Sequence, residues 1–367
     1  MPSFRSKSPG DSETPGSKML TEIREQPVAL TRTLEACRKT AEELRRRFEK
    51  ARPRLVVIVA RGTSDNAAIT GRYLIEITTD IPVSLAAPSA FTLYGAKIDY
   101  RDALVVGISQ SGESTDTNAL VEAARKSGAV TVGITNEASS ALAKIAEFVL
   151  PCRAGKENSV AATKTYTAQL LAMYLLSYAL GGSIRTDELA RLPQWVERVL
   201  KLEGRIAETA ERYRFMTRTV TVARGLNYGN ALEFGLKLME TCYVTTERFS
   251  AADLMHGPIA IVEDSFPAFV FAPGGVTWPS IRDVVECLNQ LKGDTLVITD
   301  VRESETRNLP ARFIRVPAGF KPRGPVRDLY TPIPYIVPGQ LFAAHLSVQK
   351  GLDPDRPRAL KKVTLTM

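Results

Sequence analysis

Strand-like and helix-like segments alternate along this chain, and the alternation starts over once. The β-branched runs LVVIVA (55–60), ALVVGIS (103–109) and AVTVGIT (129–135) are separated by stretches with apolar residues at helical spacing. Strands that take turns with helices form a parallel sheet covered on both faces. FVLPC (148–152) reads as a further short strand, followed by a long helix through TYTAQLLAMYLLSYAL. The scheme then restarts with TVTVARG (219–225), PAFVFAP (267–273) and DTLVITD (294–300). IVARG at 58–62 returns as TVARG at 221–225, and VGITNE at 132–137 has a counterpart in LVITDV at 296–301. Both pairs are offset by about 163 residues, and a shared offset points to duplication of one unit. The expected fold is therefore α/β: two tandem, doubly wound parallel-sheet domains, each with three αβα layers. The first is expected at 19–195, with leading helices, and the second at 196–350. Their boundary should fall in the charged helical stretch near 185–215, around Pro193. A disordered tail is expected at 1–18 and a C-terminal arm at 351–367.

A chain of 367 residues accommodates two such domains of about 150 residues each. Its 44% hydrophobic and 24% charged content excludes a largely disordered or fibrous protein. The net charge of +8 suits an anionic ligand such as a phosphate as well as it suits nucleic acid. From Leu34 the apolar positions Leu34, Cys37, Ala41, Leu44 and Phe48 recur at helical spacing beside Arg45, Arg46 and Arg47. Without interleaved aromatic residues this reads as a helix with a solvated basic face, and no nucleic-acid partner is expected. Cys37, Cys152, Cys242 and Cys287 are scattered, with no CxxC pair and no histidines nearby, so neither a disulfide framework nor a metal site is expected. The Ser-, Pro- and Gly-rich start has no apolar stretch behind its basic residues, unlike a secretory signal. The longest apolar run, near 170–180, is broken by Ser177 and falls short of the roughly 20 residues that span a bilayer. A cytoplasmic protein without a membrane partner is the expectation.

In open parallel sheets ligands collect beyond the carboxyl ends of strands, where helix N-termini present unpaired N–H groups. Two turns at such places stand out: Arg61-Gly62-Thr63-Ser64-Asp65-Asn66 and Ser109-Gln110-Ser111-Gly112-Glu113-Ser114. Each joins a glycine, which permits close backbone approach, to hydroxyls that donate to anionic oxygens. Helix capping accounts for one such turn, whereas two in one domain read as a phosphate cradle. Neither matches GxGxxG or GxxxxGK[ST], which argues against a dinucleotide or nucleoside-triphosphate loop. In the second domain Glu233, Lys237 and Glu240 fall within roughly 60° on one helical face. That pattern suits proton transfer, and it equally suits an exposed salt-bridge ladder. Downstream, His256 precedes Gly257-Pro258, a turn that can aim a side chain into a cleft. His345 is the chain's only other histidine, so a general acid or base of that type has few candidates. The closing DPDRPRALKKVTLTM reads either as a frayed end or as an arm bringing Lys361 or Lys362 over a site as an amine nucleophile.

These segments resemble the sugar isomerase (SIS) domain family, in particular the isomerase half of glutamine-fructose-6-phosphate aminotransferase and its stand-alone relatives. ARGTSDNAA, ISQSGESTDT, ENSVAATKTYTAQL, ALEFGLKLMETCYVTTERFSAADLMHGPIAIVE and DPDRPRALKKVT are similar to that family's motifs, in order and at like spacing, from Met19 onward. The resemblance implies flavodoxin-like domains and a sugar phosphate held by Thr63, Ser64, Ser109, Gln110, Ser111 and Ser114, with Val160 in the substrate loop. It implies Glu240 as the carboxylate that moves a proton between C1 and C2, with Lys237 beside it. His256 is implied to open the ring in a neighbouring subunit, hence a homodimer, and Lys362 to form a Schiff base with the ketose. No metal or organic cofactor is implied. Ala162 and Lys361 depart from the synthase pattern, which has a serine and a small residue there. The synthase's glutaminase domain, with its cysteine next to the initiating Met, has no counterpart: Pro2 occupies that position. The expected activity is thus deamination of glucosamine 6-phosphate to fructose 6-phosphate and ammonia. The alternatives are another amino-sugar-phosphate isomerase or deaminase, a fructosamine-6-phosphate deglycase, an isomerase-only homologue of the aminotransferase, or a sugar-phosphate sensor without chemistry.

Overall fold

In the computed structural model, which describes residues 14–317 and 326–360, ten strands make two separate sheets. The first contains β1 (Leu55–Val59), β2 (Val83–Leu85), β3 (Ala103–Ile108), β4 (Val130–Thr135) and β5 (Phe148–Pro151). The second contains β6 (Arg218–Ala223), β7 (Thr245–Ser250), β8 (Pro267–Phe271), β9 (Asp294–Thr299) and β10 (Arg312–Arg315). The orders are β2-β1-β3-β4-β5 and β10-β9-β8-β6-β7, with every pairing parallel. Counted within its own sheet, each order is the same one, so the expected duplication holds at the level of topology. In this doubly wound order the chain reverses direction between the first and third strands, and ligands bind at that switch point.

The central strands read as continuous β-branched runs because both faces are covered. All six residues of β3 and all five of β8 are buried, as parallel sheets require. Helices Lys164–Ala179 and Pro332–Gln349 are buried on nearly all sides, the behaviour of a helix that is apolar all round. The amphipathic helix Gln26–Lys50 lays Leu30, Cys37, Ala41, Leu44 and Phe48 against Lys164–Ala179. Its basic face stays outside, where the Arg45 guanidinium stacks over the Tyr178 ring at 4.5 Å. Among the described residues no helix is long and apolar enough to cross a membrane.

Two expectations about boundaries are corrected, and the two readings left open for the C-terminal stretch are decided as far as residue 358. The first helix, Ser17–Arg24, starts inside the segment expected to be a tail, because the Asp355 carboxylate accepts the N–H groups of Lys18 and Met19 at 3.0 and 2.8 Å. The boundary expected at 195/196 lies within helix Leu192–Leu200, whose Trp195, Val196 and Val199 are buried. The stretch from 353 to 358 is fixed rather than frayed: Asp353 accepts the Gly16 N–H, and the Arg358 N–H donates to the Tyr243 hydroxyl at 2.8 Å. Residues 1–13 and 361–367, the latter including Lys361 and Lys362, lie outside the described residues.

The two halves meet through helices Thr63–Thr79 and Tyr228–Cys242. Close approach depends on Gly229, where a Cβ would sit 2.1 Å from Thr70 Oγ1 and 2.6 Å from the Asn66 carbonyl oxygen. The contacts pair 63 and 66 with 233 and 237, and 70 with 229, so the two helices run antiparallel.

Candidate active site

The switch point of the first sheet lies between β1 and β3. Two helix N-termini flank it: Thr63–Thr79, which follows β1, and Thr115–Lys126, which follows β3. The helix expected after Asn66 begins at Thr63, so Thr63 and Ser64 form its first turn and place their hydroxyls at its positive end. Ser64 is buried and accepts a hydrogen bond from Gln169 Nε2 at 2.9 Å. The turn between Ser109 and Ser114 is held open by Gly112 at φ +69°, where a Cβ would lie 2.1 Å from Ser140 Oγ. Ser109 Oγ accepts the Gly112 N–H at 3.1 Å, and Ser111 Oγ accepts that of Glu113 at 3.3 Å. Ser114 stands at the N-cap, yet its Oγ takes a bond from the Thr117 hydroxyl rather than from a backbone N–H. The Gln110 carbonyl accepts from Asn136 N and Thr135 Oγ1. The Asn136 side chain in turn holds Ala154 N at 2.7 Å and Gly155 O at 2.9 Å. The cradle is thus braced to the chain that runs into the loop containing half-buried Val160.

Facing this cradle from the second half, Glu233, Lys237 and Glu240 do share one face of helix Tyr228–Cys242. That face is not a surface ladder: Glu233 and Lys237 are completely buried, and the Glu240 side chain is 24% exposed. Lys237 Nζ lies 2.6 Å from Glu240 Oε2 and 3.4 Å from Glu233 Oε1, and donates to Thr63 Oγ1 at 3.3 Å. Glu233 also accepts from Asn66 Nδ2 at 2.8 Å and from Thr63 Oγ1 at 3.2 Å. Burial pushes the Glu233 carboxyl up to about 7 against the opposing pull of Lys237 and Asn66. The two carboxylates raise the Lys237 ammonium above its ordinary value despite its burial. A buried ammonium bracketed in this way stays charged, and one carboxylate, Glu240, is left at the accessible end of the group.

The turns carrying Thr63 and Ser64, and Ser109, Gln110, Ser111 and Ser114, thus follow the adjacent strands β1 and β3, with Lys237 and Glu240 joined to the first turn through Thr63. His256 does not join them. It sits in the exposed stretch 255–257, and its imidazole makes no hydrogen bond to the Glu233–Lys237–Glu240 group. The second histidine, His345, is engaged elsewhere, with Glu203 at 3.2 Å. The sequence named Asn66 only as part of the first turn and not as the partner of Glu233, and it missed Asn136 and Gln169. Asn66 had a signal, since it lies one helical turn after Thr63 on the same face. Asn136 and Gln169 touch the cradle only through tertiary packing and carry no local signature.

The SIS domain family matches residues 49–179 and 216–324. The glutamine-fructose-6-phosphate aminotransferase of Pyrococcus horikoshii is 37% identical over 354 residues, covering 94% of this chain and 57% of that protein. The Aquifex aeolicus protein of the same name is 35% identical over 348 residues, with 94% and 57% covered. The chain thus spans little more than half the length of these relatives. Among solved structures, the C-terminal domain of glucosamine-fructose-6-phosphate aminotransferase from Francisella tularensis superposes with a TM-score of 0.83 at 28% identity, over 96% of this chain and all of that one. Glucosamine-6-phosphate deaminase from Thermotoga maritima shares the fold, with a TM-score of 0.77 at 22% identity over 95% of this chain and 100% of that one. Duplicated sheets of one order, a hydroxyl-lined switch point and a match extending over both halves agree with one another: the chain belongs to the SIS, or sugar isomerase, domain family.

Proposed function

We propose that this protein is an enzyme that moves a proton between C1 and C2 of an amino sugar phosphate, and that its net reaction is glucosamine 6-phosphate and water to fructose 6-phosphate and ammonia. The observation that carries this reading is the junction of a hydroxyl-lined anion cradle with an accessible carboxylate, Glu240, held 2.6 Å from a buried ammonium. A general base needs such a placement, at an accessible point within reach of the carbon acid.

In this reading the phosphate lies across the N–H groups and hydroxyls of the turns at 63–64 and 109–114. Those donors fix the sugar's far end and turn its open chain toward Glu240. Glu240 takes the proton from C2 of the aldehyde form, giving an enolamine with its negative charge on the oxygen at C1, and returns the proton to C1. As C1 is protonated the nitrogen lone pair forms the C2–N double bond, and a proton passes from that nitrogen to the oxygen at C1, leaving a C2 imine. Water adds to C2, and the carbon–nitrogen bond breaks with the nitrogen leaving as ammonia. The Lys237 ammonium offsets negative charge that develops on the oxygen at C1. His256 opens the sugar ring in a second copy of the chain. Its exposure beside exposed Met255 and Ile261 supports a homodimer in which that surface is covered. Lys362, the proposed Schiff-base amine, lies outside the described residues. The setting proposed for this metabolism is the cytoplasm.

The 37% identity to a glutamine-fructose-6-phosphate aminotransferase favours one further reading, in which the same site performs the isomerase half of synthesis on ammonia delivered from elsewhere. Ammonia release from purified protein decides between them, with glucosamine 6-phosphate, galactosamine 6-phosphate and a fructosamine 6-phosphate as substrates. Release from the first, with fructose 6-phosphate formed in equal amount, is expected. Isomerisation of fructose 6-phosphate without ammonia release supports the second reading. Inertness on all of them defeats both.

A further inference from the structure

Helix Ser17–Arg24 is short and has no strand to precede, yet it carries one of the more deeply buried carboxylates of the molecule. Glu22 is 3% exposed. Its Oε1 accepts the N–H groups of Asn158 and Ser159, and its Oε2 accepts that of Ser159 at 3.2 Å. One carboxyl group thus gathers two consecutive backbone donors through both of its oxygens, which an amide does not reproduce, because its NH2 group would face a donor.

The other end of the same loop is fastened independently. Glu157 accepts the Thr163 N–H at 2.8 Å and the Thr165 hydroxyl at 2.8 Å, while the Thr163 carbonyl accepts from Gln340 Nε2 at 3.2 Å. Residues 160–162 therefore form a three-residue arch between two fixed points, 158–159 and 163. Lys164, 2% exposed, closes the base by pairing with Glu25 at 2.6 Å and donating to the Lys156 carbonyl at 2.7 Å. Helix Ser17–Arg24 is itself held by Asp355 at its N-terminus. From there the chain reaches Arg358, whose N–H binds Tyr243, three residues beyond Glu240. A single short helix thus ties the arch to the neighbourhood of the proton-transfer carboxylate.

We propose that Glu22 is a positioning residue for sugar recognition: it sets the height of the 160–162 arch over the crevice, so that binding of the sugar depends on it and binding of the phosphate does not. The inference rests on the proposed function and on the expectation that Val160 lies in the substrate loop. The cradle at 109–114 is built from its own hydroxyls and N–H groups and makes no hydrogen bond to Glu22.

The test is Glu22→Gln in the full-length chain, with two readouts. Calorimetry should show the Kd for fructose 6-phosphate rising at least about tenfold, the size expected for loss of a charge-assisted hydrogen bond, while the Kd for inorganic phosphate changes less than about twofold. Amide exchange at 158–162 should accelerate about tenfold or more, with helix Lys164–Ala179 unchanged. Glu22→Asp keeps the charge one methylene short and should fall between wild type and Glu22→Gln; it carries the same readouts if the glutamine variant does not fold. Equal weakening of both ligands, or unaltered exchange at 158–162, overturns the proposal. A wild-type protein that binds phosphate but no sugar phosphate defeats the functional reading instead, and the exchange measurement still decides whether Glu22 holds the loop.

Discussion

The crevice between β1 and β3 and the crevice between β6 and β8 occupy the same place in two copies of one fold, and they have opposite chemistry. At the repeat offset of about 163, the segment Ser109-Gln110-Ser111-Gly112-Glu113-Ser114 corresponds to Ala272-Pro273-Gly274-Gly275-Val276-Thr277. The hydroxyls of the first are gone from the second, apart from Thr277, which points to Asp328 at 3.4 Å. The N–H of Gly274 is taken by the Asp300 carboxylate at 2.7 Å, which also accepts the Tyr335 hydroxyl at 2.5 Å. Asp328, 1% exposed, lies so near Gly275 that a Cβ there would come within 2.9 Å of its Oδ1. In the second repeat the chain's own carboxylates lie against this turn, while in the proposed reading the first offers its hydroxyls and N–H groups to an incoming anion. The helices diverged in the reverse sense. Lys237 and Glu240 of the second repeat correspond to Leu74 and Ile77 of the first. In the proposed reading one repeat carries the cradle and the other the proton-transfer group, so that the duplicated fold would yield one composite site where two equal ones were available.

The largest effect should come from giving the second repeat the residue of the first. Lys237→Leu leaves two carboxylates without their ammonium, one of them completely buried, and breaking a buried pair in this way costs about 3–5 kcal/mol. Urea titration should show that loss together with loss of turnover; a variant as stable and active as wild type would sever the link between the two repeats. The reverse exchange, Ser109→Ala with Ser111→Gly, makes the cradle resemble the second crevice. It should weaken sugar-phosphate binding by about 1.5–3 kcal/mol, the size of a hydrogen bond to a charged group, measured calorimetrically. The same titration on wild type should give one sugar phosphate per chain, and two per chain would mean that the second crevice is also a site.

Stability should also change with pH. Burial holds Glu233 and Glu22 at about 7, against an ordinary carboxylate value of 4.5. The folded state therefore binds these protons more tightly than the unfolded chain does. The stabilisation is fully present below about pH 4.5 and is lost as the pH rises through about 7, at up to about 1.4 kcal/mol per pH unit for each proton. Urea midpoints across pH 4.5 to 7.5 should fall less steeply in Glu233→Gln than in wild type, and an identical slope would refute the assignment. The smallest effect is expected from Asp300→Asn. An amide oxygen can still accept the Gly274 N–H, so stability should change by about 1 kcal/mol or less, with sugar-phosphate affinity unchanged.

Strands buried on both faces announce themselves, and the seven expected strands all formed where β-branched runs stood. The three that escaped, β2, β7 and β10, are edge strands, where burial is partial and composition follows solvent instead of the core. β7 reads TTERFS and β10 reads RFIR, neither of which carries an apolar pattern. The hydroxyl-rich turns were legible because the glycine and hydroxyls of each lie within six consecutive residues. The face shared by Glu233, Lys237 and Glu240 was legible from helical spacing, but spacing left open whether it met solvent or the other domain.

By itself the sequence determined the duplication, the αβα layering, the hydroxyl-rich turns and the alignment of three charged residues on one helix. Each is a matter of local periodicity or composition, which a chain carries wherever its segments are placed. Tertiary structure decided that carboxylates lie against the second repeat's turn, that the Glu233–Lys237 pair was buried against Thr63 and Asn66, and that Glu22 held a loop some 136 residues away. These depend on the close antiparallel approach of two helices at Gly229 and on carboxylates finding N–H donors across the fold. The energetics of burial act on distance in space, and no pattern along the chain records it.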